Sequence, residues 1–356
     1  MADRLKVGLI GVKNVNARGF ATKDGEKAVP LDDVEFVAAA DVNAESLGKL
    51  CEGLGIGGRY ENYGEMIEKE ELEAAVIALP TFLHKDATIA CLEAGLHVIC
   101  EKPPTNNYEE MLEVAEVARK SPGKYMFIRQ SRFGANVQAA RKMVADGKLG
   151  NVYCAEAKWI RSRGRQIRGN AWRSEKDRGG GVLLDLGIHG IDQAWFAMGR
   201  PKAVEVMAGT FTAFKQYAGE PEKYSADDTF AGMIRFETGA VMNCLFAFGM
   251  NAVGPARADE PYSKEWQISR LYGTEGGLDI NKRQFIHGPV SEVEVEDVPT
   301  NGFSNDSPMV LQAREFIRAI RTDTTPLNSL DDALALMKML SGLMESGDTG
   351  RSVRLD

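Results

Sequence analysis

Asp185, His189 and Asp192 recur at i, i+4 and i+7 after the glycine run Gly179-Gly180-Gly181, so a helix here puts a carboxylate beside an imidazole on one face. An imidazole titrates near neutral pH and can take a proton from a hydroxyl and return it. Leu184, Ile188, Ile191 and Trp195 share the neighbouring stripe, which lets one side of the helix rest on a core while the other offers proton-transfer groups. Spacing alone supports a second reading equally well, in which Asp185 caps or pairs and His189 is a satisfied structural residue.

The scaffold for such a pair starts at the amino terminus. Residues 6–10 read as a strand leading into Gly8-Leu9-Ile10-Gly11-Val12-Lys13-Asn14-Val15-Asn16. A dinucleotide fold normally supplies G-x-G-x-x-G at this point, for close approach of the backbone to the pyrophosphate and of helix to strand. This chain has Gly11, but Lys13 and Asn16 stand where the other two glycines belong. Three readings stay open: a longer loop re-routed towards Gly19, a phosphate met by Lys13 beside Asn14, or a loosely held cofactor. A plain strand-to-helix turn is the remaining possibility. Asp41 ends the second strand, where an acid accepts from ribose hydroxyls and repels a 2′-phosphate, favouring NAD over NADP.

Further apolar runs at 34–40, 74–79, 96–100 and 125–128 alternate with helical patterns at 84–94 and from Asn107 to about residue 120. This is a doubly wound parallel sheet, and Gly11, Asp41, Pro80 and Glu101 fall along its ligand-binding rim. After residue 128 the texture changes. A helix at 136–146, a strand at 152–160 and the Asp185 helix precede β-rich segments, with a hairpin over 228–248 and a tight turn at 271–277; helices at 308–321 and 330–345 close the chain. We therefore expect two domains, 1–128 and 129–356, the second carrying a large, mostly antiparallel sheet that closes a cleft; its last helix is free to pack back on the first domain.

The 356 residues are 44% hydrophobic and 26% charged, with a net charge of −8, a balance that opposes adhesion to nucleic acid or an anionic membrane. The arginine-rich stretch from Lys158 to Arg178 is either a solvated loop or a site for an anionic or polyhydroxylated ligand. Five scattered cysteines without C-x-x-C spacing read as reduced thiols, and four histidines far apart in sequence give no metal site. No charged and apolar leader and no run of about 18 apolar residues is seen, so the expected location is the cytoplasm.

Cys100-Glu101-Lys102-Pro103, followed at this distance by the Gly179 to Asp192 run, resembles the Gfo/Idh/MocA family, named for glucose-fructose oxidoreductase and inositol dehydrogenase. The likeness extends through Gly11, Ala40-Asp41, Leu79-Pro80-Thr81 with His84, Arg132-Phe133, Trp172-Arg173 and Gly273-Thr274-Glu275-Gly276-Gly277. It implies a nicotinamide-dependent oxidoreductase with a Rossmann domain and an α/β substrate domain, acting on carbohydrates, inositols and related polyols and assembling as a homodimer or homotetramer. By position, Lys102 would be the catalytic lysine, and Asp185 and His189 the substrate-binding and proton-transferring pair. Pro80, Thr81, His84 and Glu101 would lie near the cofactor, and Trp172 and Arg173 on a loop reaching towards it. The residues 158–164 further resemble a subgroup that includes glycoside and pyranose dehydrogenases.

In such a reaction a base removes the hydroxyl proton and a cation stabilises the alkoxide, which assigns His189 and Lys102; Arg132 and Arg163 are candidate contacts to substrate hydroxyls or phosphate. His97 reads as core, and His287 has no assigned role. Two other functions fit the same residues: NAD-assisted glycoside cleavage through transient oxidation at C3, and a dinucleotide-sensing protein that has lost the chemistry.

Overall fold

The computed structural model describes residues 4–12, 16–24, 27–162, 171–217, 221–255 and 263–355. Two compact units are present: Met1–Phe133 with Asp306–Leu334, and Gly134–Asn305 with Ala335–Asp356. The segment 306–334 thus belongs with the first unit, a return that a single boundary at 128/129 does not contain.

The first unit is built on a six-stranded parallel sheet. Its strands are β1 (Leu5–Ile10), β4 (Val34–Ala40), β5 (Gly58–Tyr60), β6 (Ala74–Ile77), β7 (His97–Cys100) and β8 (Tyr125–Phe127), in the spatial order β5-β4-β1-β6-β7-β8. Val7, Leu9, Val76, Val98, Ile99 and Phe127 have no exposed surface, as expected of apolar runs covered on both faces. Helices α1 (Ala44–Leu54), α2 (Tyr63–Lys69), α3 (His84–Glu93) and α4 (Tyr108–Lys120) connect them. Asn107 caps α4 by accepting from the Glu110 amide at 2.9 Å, while the Glu110 carboxylate accepts from the Asn106 amide at 2.9 Å. The chain starts at β1, runs outwards to β5 and returns to β6 on the other side, so the order reverses between β1 and β6. Ligands of open α/β sheets bind at the carboxyl ends flanking such a reversal.

One connection departs from the doubly wound pattern. Between β1 and β4 the described residues form a short 3-10 turn, Asn16–Gly19, and the hairpin β2 (Ala21–Asp24) and β3 (Lys27–Pro30), with no α-helix. The place of the missing helix is taken from far along the chain. Helix α7 (Pro308–Arg321) contributes Val310, Ala313, Phe316 and Ile317 to the cluster containing Val7, Leu9 and Phe20, with Phe20 and Phe316 edge to face at 6.1 Å. The third glycine of the dinucleotide fingerprint serves helix–strand packing. Among the described residues between β1 and β4 no α-helix is present for that glycine to serve.

Polar contacts fix the returning segment as well. Gln312 accepts from the Arg129 amide at 2.7 Å, Asn328 donates to the Phe127 carbonyl at 3.1 Å, and Arg132 pairs with Asp332 at 2.5 Å. Removing one partner of a buried ion pair such as Arg132–Asp332 costs about 3–5 kcal/mol, since the other charge is left stranded.

The second unit is a nine-stranded mixed sheet: β9 (Val152–Ser162), β10 (Ala203–Phe211), β11 (Thr229–Phe236), β12 (Val241–Met250), β13 (Glu265–Gly273), β14 (Gly277–Asp279), β15 (Gln284–His287), β16 (Glu294–Asp297) and β17 (Val353–Arg354). The order is β16-β15-β14-β13-β9-β12-β11-β10-β17, with only β9 and β12 parallel among these pairs. Helices α5 (Ala135–Ala145) and α6 (Ile188–Ala197) also belong to this unit, and α8 (Leu330–Thr349) contains the boundary between the two. No helix of the described residues is long and apolar enough to cross a membrane.

Candidate active site

In the first unit, the candidate cofactor residues gather along the carboxyl rim of the parallel sheet. Gly11 has φ +81°, and a Cβ there would stand 2.8 Å from the Ala78 carbonyl oxygen, so only glycine lets the end of β1 pass this close to the end of β6. Asp41 accepts from the Val12 amide at 2.8 Å and from the Asn43 amide at 2.7 Å. Its carboxylate thereby ties the loop after β1 to the end of β4. Lys13 and Asn14 lie outside the described residues, as does Arg163.

Around Lys102 the neighbours brace the loop. Glu101, nearly buried, accepts from the Lys102 amide at 2.9 Å and lies 2.8 Å from Arg18 Nε, a contact that is electrostatic rather than a well-aligned hydrogen bond. His84 is 1% exposed, and its two ring nitrogens lie 2.7 Å from the carbonyl oxygens of Pro103 and Leu79. Burial outweighs those two carbonyls and lowers its pKa. The ring of His84 lies between the turn after β6 and the Glu101-Lys102-Pro103 loop, where its single N–H donates to one of the two carbonyls, rather than facing a ligand as its position in the family pattern implies. Thr81 is likewise buried, while Pro80 and Lys102 stay partly exposed.

Arg132, expected to contact the substrate, is instead an interior residue. The side chain is fully buried, and the guanidinium is committed to Asp332, to the Leu327 carbonyl at 3.4 Å and to the Phe127 ring at 5.4 Å. Its partner lies 200 residues away in sequence, so no local signal discloses the role.

In the second unit, the Asp185 helix differs from the expected regular one. Leu183–Gly187 forms a π-turn, in which the Ile188 amide donates to the Leu183 carbonyl, before α6 begins. Such insertions concentrate at functional sites. Asp185 and His189 remain one wide turn apart and partly exposed; Leu184, Ile188, Ile191 and Trp195 are buried, as the stripe required. Asp192 has no exposed surface, so the i+7 carboxylate belongs to the interior.

The glycine run has a packing reason. A Cβ on Gly180 would lie 2.5 Å from the Arg173 carbonyl oxygen, and one on Gly181, at φ +114°, would lie 2.3 Å from Asp227 Oδ1. The chain slips between those two groups, and the Gly181 amide donates to the Arg173 carbonyl at 3.0 Å. This brings Arg173 Nε to 3.7 Å from Asp185 Oδ1, with its guanidinium over the Trp172 ring at 4.7 Å.

Asp227, unremarkable in sequence, caps the start of this segment: Oδ2 accepts from the Val182 and Leu183 amides at 3.0 and 3.3 Å. The carboxyl lies against Gly181, and burial pushes its pKa up to about 6, outweighing the amides and the more distant Lys176 cation that favour the charged form. A carboxyl with a raised folded-state pKa holds its proton in the native protein after losing it in the unfolded chain, so this group's contribution falls as pH rises from about 4 to about 6. Asp227→Asn keeps an acceptor for the amides and is expected to abolish that decline, worth about 2 kcal/mol after allowance for partial solvent access. Unfolding curves of both proteins across pH 4–7 check this; parallel pH profiles would reject it.

His189 meets the Trp159 ring edge to face at 5.8 Å. Trp159 Nε1 donates to Glu265 Oε1 at 2.7 Å, and the same oxygen receives Arg161 Nε at 3.2 Å. His97, read as core, is only partly buried and accepts from the Lys124 amide at 2.9 Å. His287 stacks on Phe285, and its Nε2 faces Glu294 and Glu296 across the β15–β16 strands at 3.9 and 3.1 Å.

A parallel sheet with its order reversal at the Gly11 corner, joined in one chain to a mixed sheet carrying an acid–imidazole turn, defines a two-domain α/β oxidoreductase. The first unit matches a family model described as an oxidoreductase family with an NAD-binding Rossmann fold over residues 5–128, and residues 137–279 match the GFO/IDH/MocA C-terminal domain. The chain belongs to the GFO/IDH/MocA family of oxidoreductases, and its first unit is the NAD-binding domain. It is 24% identical to a D-glucoside 3-dehydrogenase of Escherichia coli over 99% of this chain and 97% of that one. It is 26% identical to an NADP-dependent D-xylose 1-dehydrogenase of Haloferax volcanii over 95% and 97%. Among solved structures, a levoglucosan dehydrogenase in complex with NADH superposes with a TM-score of 0.82 over 99% of this chain and 100% of that one at 20% identity, a likeness of fold.

Proposed function

We propose that this enzyme interconverts a secondary hydroxyl and the corresponding ketone of a sugar, glycoside or inositol. The observation that carries the reading is the partly exposed Asp185/His189 pair, at a π-turn and the start of a mostly buried helix in a chain of this family. Relatives spanning nearly the whole chain act on a glucoside and on xylose.

The rim residues fit a dinucleotide. Gly11 leaves room for backbone approach, and Asp41 stands where a ribose hydroxyl donates and a 2′-phosphate is repelled, which favours NAD over NADP. Pro80 and Thr81 line the same rim, Lys13 and Asn14 are assigned to the phosphates, and Trp172 and Arg173 to the loop that reaches the cofactor. The bound nicotinamide supplies the hydride acceptor. His189 takes the hydroxyl proton, and the Lys102 ammonium stabilises negative charge on the same oxygen as the carbonyl forms. Asp185 orients the substrate or the imidazole and is itself steadied by Arg173. Glu101 and His84 position Lys102 from behind.

Two further parts belong to this reading. Five cysteines, none in a disulfide, suit a reducing cytoplasm. Exposed Met207, Phe211 and Met233 on one face of the mixed sheet suit a homodimer or homotetramer, and a monomer in sedimentation at micromolar concentration would exclude it.

The test is reduction of NAD, and separately NADP, by the purified enzyme with a panel of monosaccharides, glycosides, inositols and open-chain polyols. Turnover with a cyclic polyol and NAD is expected. No turnover with any member of the panel would reject the assignment.

A further inference from the structure

On the inner face of β9, Ala155 and Ala157 are fully buried, and a Cβ on Gly190 of α6 would lie 2.8 Å from Phe246 Cε1 and in ordinary contact, 3.7 Å, with Ala157 Cβ. Two residues on, the same face carries Trp159 and then Arg161, both partly exposed. Small residues thus stand where the helix packs on the strand, and a large aromatic follows beside His189. A tryptophan that merely filled space would not need its orientation fixed from two directions. Here Glu265 Oε1 holds the indole Nε1, and Arg161 Nε binds the same oxygen while its guanidinium carbon stands 5.8 Å from the Trp159 ring and 6.0 Å from that of Phe248. Among the described residues the terminal nitrogens of Arg161 meet no acceptor.

We infer that Trp159 is a stacking platform for the apolar face of a six-membered ring whose carbinol reaches His189, that Arg161 binds hydroxyls at the far edge of that ring, and that together they select cyclic over open-chain polyols. The inference rests on the proposed activity and names its substrate class. Rigid aromatic faces with a few fixed polar groups are how pockets orient such ligands. A pyranose with equatorial hydroxyls presents a flat patch of C–H groups to such a face, and an open-chain polyol presents none. The chemistry of the reacting carbon is untouched, so the effect belongs to KM.

The experiment compares wild type, Trp159→Ala, Trp159→Phe and Arg161→Ala with methyl β-D-glucopyranoside and sorbitol. Trp159→Ala is expected to raise KM for the glucoside about 10-fold with kcat within about 3-fold, and to erase about 10-fold of any preference for it over sorbitol. Trp159→Phe retains a face and stays within about 3-fold of wild type; Arg161→Ala raises KM for the glucoside. If Trp159→Ala fails to fold, the indole N–H resonance of Trp159, identified by its loss in Trp159→Phe, decides the matter. A shift on adding the glucoside to the NADH-bound wild type supports the platform, and an unmoved resonance overturns it. Active wild type with an unchanged KM in Trp159→Ala overturns the platform and leaves the oxidoreductase reading intact. A wild type that oxidises no polyol of the panel overturns both.

Discussion

His189→Ala is expected to lower kcat by at least about 100-fold while NADH binds within about threefold of wild type, because in the proposed mechanism the imidazole acts on the substrate proton and not on the dinucleotide. General acid–base catalysis by a positioned side chain contributes roughly 10²–10⁴-fold. The variant also separates the catalytic from the structural reading. His189 is partly exposed and touches Trp159 at the ring edge, so its truncation leaves the buried stripe Leu184, Ile188, Ile191 and Trp195 in place. Unfolding temperature should change by only a few degrees. Steady-state turnover alongside a fluorescence titration with NADH measures both quantities, and near-normal turnover would remove His189 from the mechanism.

Lys102→Ala is expected to produce a loss of similar size for a different reason. A positioned cation beside an oxygen gaining negative charge supplies about 3 kcal/mol when a comparable donor is removed elsewhere, again about 100-fold in rate. Lys102→Arg should not restore it, since a planar guanidinium cannot take the place of a compact ammonium on a braced loop. The bracing is specific: Glu101 holds the Lys102 amide, and His84 lies at hydrogen-bonding distance from the carbonyls of Pro103 and Leu79. Turnover of Lys102→Ala above about a tenth of wild type would show that the ammonium is dispensable.

Much of this architecture was legible in the chain because local signals and tertiary demands coincided. Strand 34–40 and helix 308–321 occupy the residues that their apolar patterns mark, and the Asn107 cap forms as its spacing with Glu110 requires. What escaped depends on partners remote in sequence. The hairpin at 21–30 replaces a helix only because α7 covers that face of the sheet, a contact no window of sequence contains. Arg132 reads as a substrate ligand in sequence because its partner Asp332 lies 200 residues away. A π-turn at 183–187 has no period of its own to betray it. Asp227 capping the Asp185 segment and Trp159 beside the imidazole likewise become visible only when the sheet brings them there. The alternation Ala155, Ala157, Trp159 was the available hint.

The proposal that His189 and Lys102 act on one oxygen is tested most directly by a double-mutant cycle on kcat/KM with the best cyclic substrate, using His189→Ala, Lys102→Ala and the double variant. If the imidazole removes the proton from the oxygen whose charge the ammonium stabilises, the two losses are coupled by about 1 kcal/mol or more, and the double variant is at least about fivefold more active than the product of the single losses implies. A double variant whose loss equals that product would contradict the account.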